Sequence, residues 1–426
     1  MTRVVVIGAG IAGLVAAIRL ARAGVAVTVL HKGTGGLQLS QGTVDILGYT
    51  PERVERPLDA LAGFVQANPG HPYAHHDTQA VGDSVAYLKE LVGPELLVGT
   101  PSANLQLPTA VGAIRPTALA APSMIAGGCV DGARFVIVGL RRLKDFYPEL
   151  VAQNLSRTDL PGGGRLTARH VTIDVPAREG EVDSFALTYA RAIDDRAYRR
   201  RFAEAVKAVV VEGETVGLPA VLGLDDPRAW IEIGELIGTE VFEIPLPPPS
   251  VPGMRLNRAL TGLAKAAGAR MVPGSMVTGF RSSGDSVRSV QLATAGGARD
   301  FLADAFVLAT GGFEAGALSA DSYHNLHESI FDLPLRTPKG ALVHGDYWGD
   351  PQPLFTVGVE TDDAMLVRRP DGDPVYSNLY AAGGILAGAT RWQEKSGEGI
   401  ALASAVRAAD SILATATTAT TQGAAS

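Results

Sequence analysis

The sequence predicts an α/β fold in which a parallel, helix-flanked sheet is interrupted by an inserted α+β domain. Three observations lead there. The β-branched run Val4-Val5-Val6-Ile7 ends in Gly8-Ala9-Gly10-Ile11-Ala12-Gly13 and passes into a helix-like stretch at 14–23. Two later apolar runs also end in small residues, at Ala309-Thr310-Gly311-Gly312 and at Ala381-Ala382-Gly383-Gly384. Between the first unit and these runs the texture changes. Strand-like and helix-like pieces alternate from 95 to the proline tract Pro247-Pro248-Pro249, which cannot continue a helix or a central strand.

The first unit reads as strand, glycine turn, helix and a second strand at 25–30, the context that gives a GxGxxG match its meaning as a Rossmann-like dinucleotide-binding unit. Gly8 permits the tight turn, Gly10 lets backbone approach a pyrophosphate, and Gly13 lets helix and strand pack closely. Ile11, Ala12 and Gly13 open the helix and direct its free N–H groups at the phosphates. The second strand ends in Leu30-His31-Lys32-Gly33. An Asp or Glu there usually binds the ribose hydroxyls. His31 and Lys32 stand in its place, so this unit alone does not choose between NAD and FAD. The following Gly- and polar-rich segment, 33–42, reads as a loop lying along a ligand, with Ser40, Gly42 and Thr43 as candidate contacts.

Residues 57–92 are expected to be helical around a turn at Asn68-Pro69-Gly70. The insert, 95–250, carries expected strands at 135–140, 168–173 and 208–211, and helices at 185–192 and 198–206. The first domain resumes with a helix at 253–267 and strands at 270–280 and 286–295. It continues through the two glycine-ended strands to an Ala-rich helix at 396–415. The first, dinucleotide-binding domain is thus read as 1–94, 251–316 and 376–416, with a smaller insert at 317–375 and a disordered tail at 417–426.

With 426 residues, one cysteine and a net charge of −7, the composition fits a globular chain. It argues against nucleic acid or anionic membrane as an electrostatic partner. Cys129 alone excludes an internal disulfide or an iron–sulfur cluster held by this chain alone. No metal site is expected, since no HExxH or clustered His and acidic ligands occur. No transmembrane span or signal peptide is read, and a cytoplasmic location is expected.

Three strand ends in this order predict a flavin fold of the GR2-type FAD class. Thr310 and Gly311 would brush the dinucleotide near its adenosine half, and Gly383 and Gly384 would approach the flavin ring. The helix opened by Ser396-Gly397-Glu398-Gly399 would direct N–H groups, at Gly397 and Gly399, towards the pyrimidine edge of the flavin. Glu398 is expected to face solvent or to pair with Arg391 or Lys395. A general base and a phosphate clamp are sought among His71, His324, His327, His344, Arg115 and Arg255. His344 and Arg255 are the candidates chosen as catalytic.

The ordered motifs resemble the fumarate reductase/succinate dehydrogenase class of flavoproteins. Within it they resemble the B-subunit family of anaerobic glycerol-3-phosphate dehydrogenases. The segments that carry the resemblance are 40–47, His71-Pro72-Tyr73, 357–362, 378–388 and, above all, Pro248-Pro249-Ser250-Val251-Pro252-Gly253-Met254-Arg255-Leu256. The resemblance implies a flavoprotein subunit of a quinone-linked enzyme that oxidises glycerol 3-phosphate to dihydroxyacetone phosphate. It implies two partners. One is a larger catalytic flavoprotein, the A subunit. The other is a membrane-associated iron–sulfur protein, the C subunit, which would hold the complex at the inner face of the membrane. It also implies FMN, whereas the glycine motif favours FAD. Members carry a Cys-containing glycine cluster where this chain has Ser396–Gly399. A stand-alone FAD oxidoreductase and a non-catalytic flavin-fold scaffold remain as alternatives.

Overall fold

The computed structural model describes residues 2–274, 276–294, 297–346 and 349–423. Its central sheet has five parallel strands: β1 (Arg3–Ile7), β2 (Ala26–His31), β3 (Arg270–Pro273), β4 (Ala305–Leu308) and β5 (Leu379–Ala381). They lie in the order β3-β2-β1-β4-β5. Strand order therefore reverses between β1 and β4, and the carboxyl ends beside such a reversal are where open α/β sheets bind ligands. Helix α1 (Ile11–Arg22) follows β1, α2 is Thr78–Val92, α3 is Val251–Ala266 and α4 is Gly397–Gly423.

Helix α1 buries Leu14, Val15, Ala16, Ala17, Ile18 and Leu20. That near-continuous apolar surface is required because the helix is covered by the sheet on one side and by other helices, α4 among them, on the other. Arg19 of α1 meets Asp410 of α4 at 2.6 Å on the rim. Helix α4 is docked to the sheet by fully buried Ser404. Its hydroxyl accepts from Gly383 N at 2.9 Å and donates to Ile400 O at 2.6 Å.

The insert has its own core, around Phe135, Ile137, Tyr189, Phe202, Val216 and Phe242. Its main sheet is four parallel strands, Val241–Ile244, Thr215–Pro219, Arg134–Leu140 and Thr167–Ile173, in that spatial order. Two short antiparallel pairs, Leu105–Pro108 with Ile114–Thr117 and Val98–Gly99 with Leu119–Ala120, lead into it. A bridge between Val44 and Leu119 joins it to the first domain.

Several expected boundaries move. The strand expected at 208–211 is instead the end of helix Arg196–Lys207 and the turn after it, and the strand falls at Thr215–Pro219. Val209-Val210-Val211 has β-branched propensity, but Gly213 turns the chain immediately after it with φ +81. The strand expected at 270–280 divides near Gly274. Its first half is β3, and its second half, Val277–Ser283, pairs antiparallel with Ser286–Thr294 in a separate sheet. Helix α3 begins two residues early because the Ser250 hydroxyl caps it, accepting from Gly253 N at 3.1 Å, and Pro252 fits its first turn. The tail expected from 417 continues α4 to Gly423, and 424–426 lie outside the described residues. The stretch Gly397–Thr417 is long and apolar enough to cross a membrane by composition, yet much of it forms the core, with Leu402, Ala405, Ala408 and Ala409 fully buried.

The glycine turn is held by close approach. Gly8 has φ +116, and a Cβ there would overlap the carbonyl oxygen of Ala309 at the end of β4. Gly10 has φ −76 and open space where a Cβ would project. Gly8→Ala is therefore expected to lower the unfolding free energy by about 2 kcal/mol or more. Gly10→Ala, where a lost N-cap preference is set against a less flexible unfolded chain, should change it by less than about 1 kcal/mol. Urea unfolding of the two variants measures this contrast, and equal losses would contradict the packing described.

Candidate functional site

The carboxyl ends of β1, β4 and β5 converge on the start of α1. Gly8 abuts Ala309 and Thr310, and a Cβ on Gly13 would overlap Gly8 O. A Cβ on Gly383 would lie 3.0 Å from the Ala12 methyl. Gly10 is the N-cap of α1, no side chain caps the helix, and its first turn holds no acidic residue. The opening N–H groups and the positive end of the helix dipole thus face a half-exposed crevice. Beside it the Thr310 hydroxyl is buried without a hydrogen-bond partner, a cost that a bound polar group would relieve. Gly8, Gly10, Ile11, Ala12, Gly13, Thr310, Gly311, Gly383 and Gly384 thus lie together at the start of α1 and the ends of β1, β4 and β5.

At the far end of β2, His31 turns its Nδ1 to Gly33 O at 2.7 Å, and Lys32 is exposed. The 33–43 loop is clamped between the glycine turn and α3. Gly35 lies against Ala9 and Gly10, Asn257 Nδ2 donates to Thr34 O at 2.9 Å, and Ser250 N donates to Gln38 O at 2.8 Å. Ser40 shapes this loop, donating to Leu37 O and accepting from Gly42 N. Gly42 packs on Pro252, and Thr43 is buried against the insert.

The start of α4 departs from expectation. Gly399 N donates to Asp45 O at 2.9 Å, and its Cα faces the Tyr73 hydroxyl and Ile46. Gly399 therefore does not offer its N–H to a ligand, because the chain itself takes that donor. Gly397 stays partly exposed beside the Arg391 side chain. Glu398 is half-buried and is turned to Asp45 and Arg115 rather than lying free in solvent. Burial and the neighbouring Asp45 carboxylate raise its carboxyl to about 7, against the pull of Arg115. Asp45 is 2% exposed; it pairs with Arg115 Nη2 and accepts from Thr117 Oγ1 at 2.6 Å. Lys395 completes the cluster, its ammonium held below the usual lysine range by burial and by Arg115. Arg391 lies instead over Gly312 and Gly384 and meets Glu314 at 3.3 Å.

Next to this cluster, buried His71 places Nε2 3.1 Å from Glu394 Oε2, and its Nδ1 accepts from Tyr73 N. The ring thus accepts through Nδ1 and turns Nε2 to Glu394. Burial works against ionising Glu394, but donation from His71 and Ser396 holds its carboxyl below the ordinary range. Tyr73 donates to Ile46 O at 2.7 Å.

The two residues chosen as catalytic do not reach this crevice. Arg255 is 6% exposed, and its guanidinium donates to Gly223 O and to both oxygens of Glu243, at 2.7 and 3.0 Å. Glu243 in turn accepts from Ser123 Oγ and Leu222 N. Arg255 thereby fastens α3 to the insert and has little left for a substrate. His344 lies in an exposed loop, bonded to Asp350 O and Gln352 of its own segment. Sequence reasoning missed Asp45, Thr117 and the Glu394–His71 pair. One signal for Asp45 was available: a lone carboxylate inside the apolar run Val44–Leu47.

A model of the FAD-binding domain family matches residues 3–400. A probable anaerobic glycerol-3-phosphate dehydrogenase B subunit from Halobacterium salinarum is 32% identical over 418 residues, covering 94% of this chain and 95% of that one. The chain belongs to this B-subunit family, within the FAD-binding domain proteins. The Yersinia pestis B subunit is 29% identical over 96% of this chain and 97% of its own length. Among solved structures, 3-ketosteroid delta1-dehydrogenase from Sterolibacterium denitrificans aligns with 97% of this chain at 11% identity and a TM-score of 0.45.

For a chain of the B-subunit family, the residues present fit the dinucleotide half of FAD. The open space at Gly10, the uncapped α1 and the unpartnered Thr310 hydroxyl are the fitting features. FMN, expected from the resemblance, is not supported, since the family model that matches residues 3–400 is that of an FAD-binding domain. Among the described residues no group of three or more His, Cys, Asp or Glu could hold a metal ion.

The half-buried Glu398 has a consequence for stability. An acid whose folded pKa is raised to about 7 binds its proton more tightly folded than unfolded. It has no effect below the unfolded value near 4.5. Stability is then lost as pH rises towards 7, and the full penalty applies above it. Glu398→Gln should therefore gain stability relative to wild type between pH 4.5 and pH 8, on the order of 2 kcal/mol. Denaturant midpoints at the two pH values check this. A pH-independent difference would contradict the inward orientation.

Proposed function

We propose that this chain is the flavin-carrying B subunit of an anaerobic glycerol-3-phosphate dehydrogenase, and that it works as an electron-transfer partner in the oxidation of glycerol 3-phosphate to dihydroxyacetone phosphate. The observation that carries the reading is the end-to-end correspondence with chains named as that subunit, together with an uncapped helix end at the sheet's switch point. In this reading the flavin is FAD. Gly8, Gly10 and the N–H groups of Ile11, Ala12 and Gly13 hold its pyrophosphate. Thr310 and Gly311 border the cofactor from β4, and Gly383 and Gly384 border it from β5.

A bound flavin supplies a two-electron acceptor that can also release single electrons. What this chain's residues do is hold and shield. Helix α4 and Ser404 fix Gly383, and the His71–Glu394 pair fixes the turn before α4. The Arg255–Glu243 pair keeps the insert seated over the 41–45 loop, so that water has restricted access. Among the described residues the chain has no cluster ligands. In this reading electrons pass to a partner that carries iron–sulfur centres and, through it, to the quinone pool, with a separate flavoprotein oxidising the substrate. Placement at the inner face of the membrane follows from that partner.

The test is reconstitution. With its two partner proteins, the wild-type chain is expected to support glycerol-3-phosphate-dependent dye reduction. Gly10→Glu places a carboxylate where the pyrophosphate would lie, and should lose flavin and reduce that rate by about tenfold or more. A complex equally active without this chain would overturn the reading. Activity of the isolated chain on another substrate would favour a stand-alone oxidoreductase.

A further inference from the structure

We propose that Arg391 is the cation that neutralises the pyrophosphate of the bound dinucleotide, and that it does so by exchanging its ion pair with Glu314 for the phosphate. The proposal rests on the flavin reading above and adds to it a binding residue that lies outside the glycine turn.

Arg391 opens a short helix, Arg391–Glu394, between β5 and α4. Its backbone is held by a network centred on Glu394. That carboxylate accepts from Thr390 N and Thr390 Oγ1, both at 2.8 Å, and from Ser396 Oγ at 2.7 Å, and it faces His71 Nε2. A turn locked in this way aims the side chain that leaves it. The Arg391 side chain runs across the two glycine-ended strands. A Cβ on Gly384, just past β5, would overlap Arg391 Nη1, and a Cβ on Gly312, just past β4, would lie 3.0 Å from Nη2. The guanidinium is therefore laid on the two backbones that border the crevice at the start of α1.

Charge decides why a cation is needed there. The N-terminus of α1 supplies about half a positive charge, against about two negative charges on a pyrophosphate diester. No basic residue stands in α1 before Arg19. The other cations near the site are committed or distant. Arg115 pairs with Asp45, Arg255 with Glu243, and Lys395 faces Asp45 and Glu398. Lys32 lies at the end of β2. Arg391 is the arginine that both touches the strand ends and has a readily replaced partner.

That partner is Glu314. Arg391 Nη2 meets Glu314 Oε1 at 3.3 Å, and the Glu314 side chain is 57% exposed. Glu314 stands in the single turn after Gly312, and a Cβ on Gly312 would lie 2.9 Å from its Oε2. Acid and base thus share one glycine face. An exposed ion pair contributes little, whereas an arginine can give a phosphate two parallel charge-assisted hydrogen bonds. A phosphate arriving beside Gly312 gains the guanidinium and repels the carboxylate. The two partners of the pair therefore act on binding with opposite sign.

The experiment is equilibrium titration of the full chain, stripped of flavin by dialysis, with FAD followed by fluorescence quenching and with ADP followed by calorimetry. ADP carries the pyrophosphate without the flavin. Arg391→Gln should weaken both ligands by about tenfold or more, the loss of a charge-assisted hydrogen bond. Arg391→Lys, which keeps the charge, should recover most of that loss. Glu314→Gln should tighten both by about two- to fivefold, the release of an exposed ion pair. Urea unfolding checks that each variant is folded; if Arg391→Gln is not, Arg391→Lys and Glu314→Gln still carry the test through the opposite signs expected of them. Unchanged affinity in folded Arg391→Gln overturns the proposal. So does weaker binding in Glu314→Gln, which would make the pair a structural strut, and so does a loss confined to FAD, which would move Arg391 to the flavin end. Wild type that binds neither ligand overturns the flavin reading itself, so the two failures are distinguishable.

Discussion

The close approach of the Gly8–Gly13 turn to the ends of β4 and β5 is the constraint on which the rest of the site depends. Two backbones meet there at distances that leave no room for a side chain on Gly8 or Gly13. That contact fixes where α1 begins and leaves its positive end uncovered at the reversal of strand order. It also brings Thr310 and Gly383 within reach of one ligand. Helix α4 extends the same logic: Ser404 ties it to Gly383, so helix and strand end are positioned as one unit.

The second determinant is a buried charge cluster where open helix dipole was expected. Asp45, Arg115, Lys395 and Glu398 come from three separate stretches of chain and meet at the first turn of α4. Removing charges from water is costly unless they are paired. Here the cost is offset by the Asp45–Arg115 pair, the Thr117 hydroxyl and a Glu398 carboxyl that holds a proton near neutral pH. The chain thus brings its own anions to the helix end instead of leaving it bare. This differs from the α1 end, where no side chain intervenes, and it divides the site into a bare phosphate-binding half and a pre-charged half.

What the sequence made legible follows the range of the forces involved. The glycine turn, β1, α1 and β2 are specified by local spacing, and they fall where the residues predict. The chain's parallel sheet and its glycine-ended strands are equally readable, since short apolar runs before small residues have few other uses. Val209-Val210-Val211 misled because β propensity is weak against a helix end followed by a turn. Arg255 is prominent in sequence, yet its partners Glu243 and Gly223 lie in the insert, and only the fold shows that they surround the guanidinium. Glu398 was expected outward because solvent is the default for a lone carboxylate. Its inward orientation depends on Arg115, 283 positions earlier in the numbering.

The central claim is that the bare α1 end at the β1/β4 reversal holds a dinucleotide. The most direct measurement is acid release and chromatography of the cofactor from the purified chain, after an absorbance spectrum. The account predicts FAD, released in proportion to folded protein. FMN alone, or no flavin even after incubation with FAD, would contradict it.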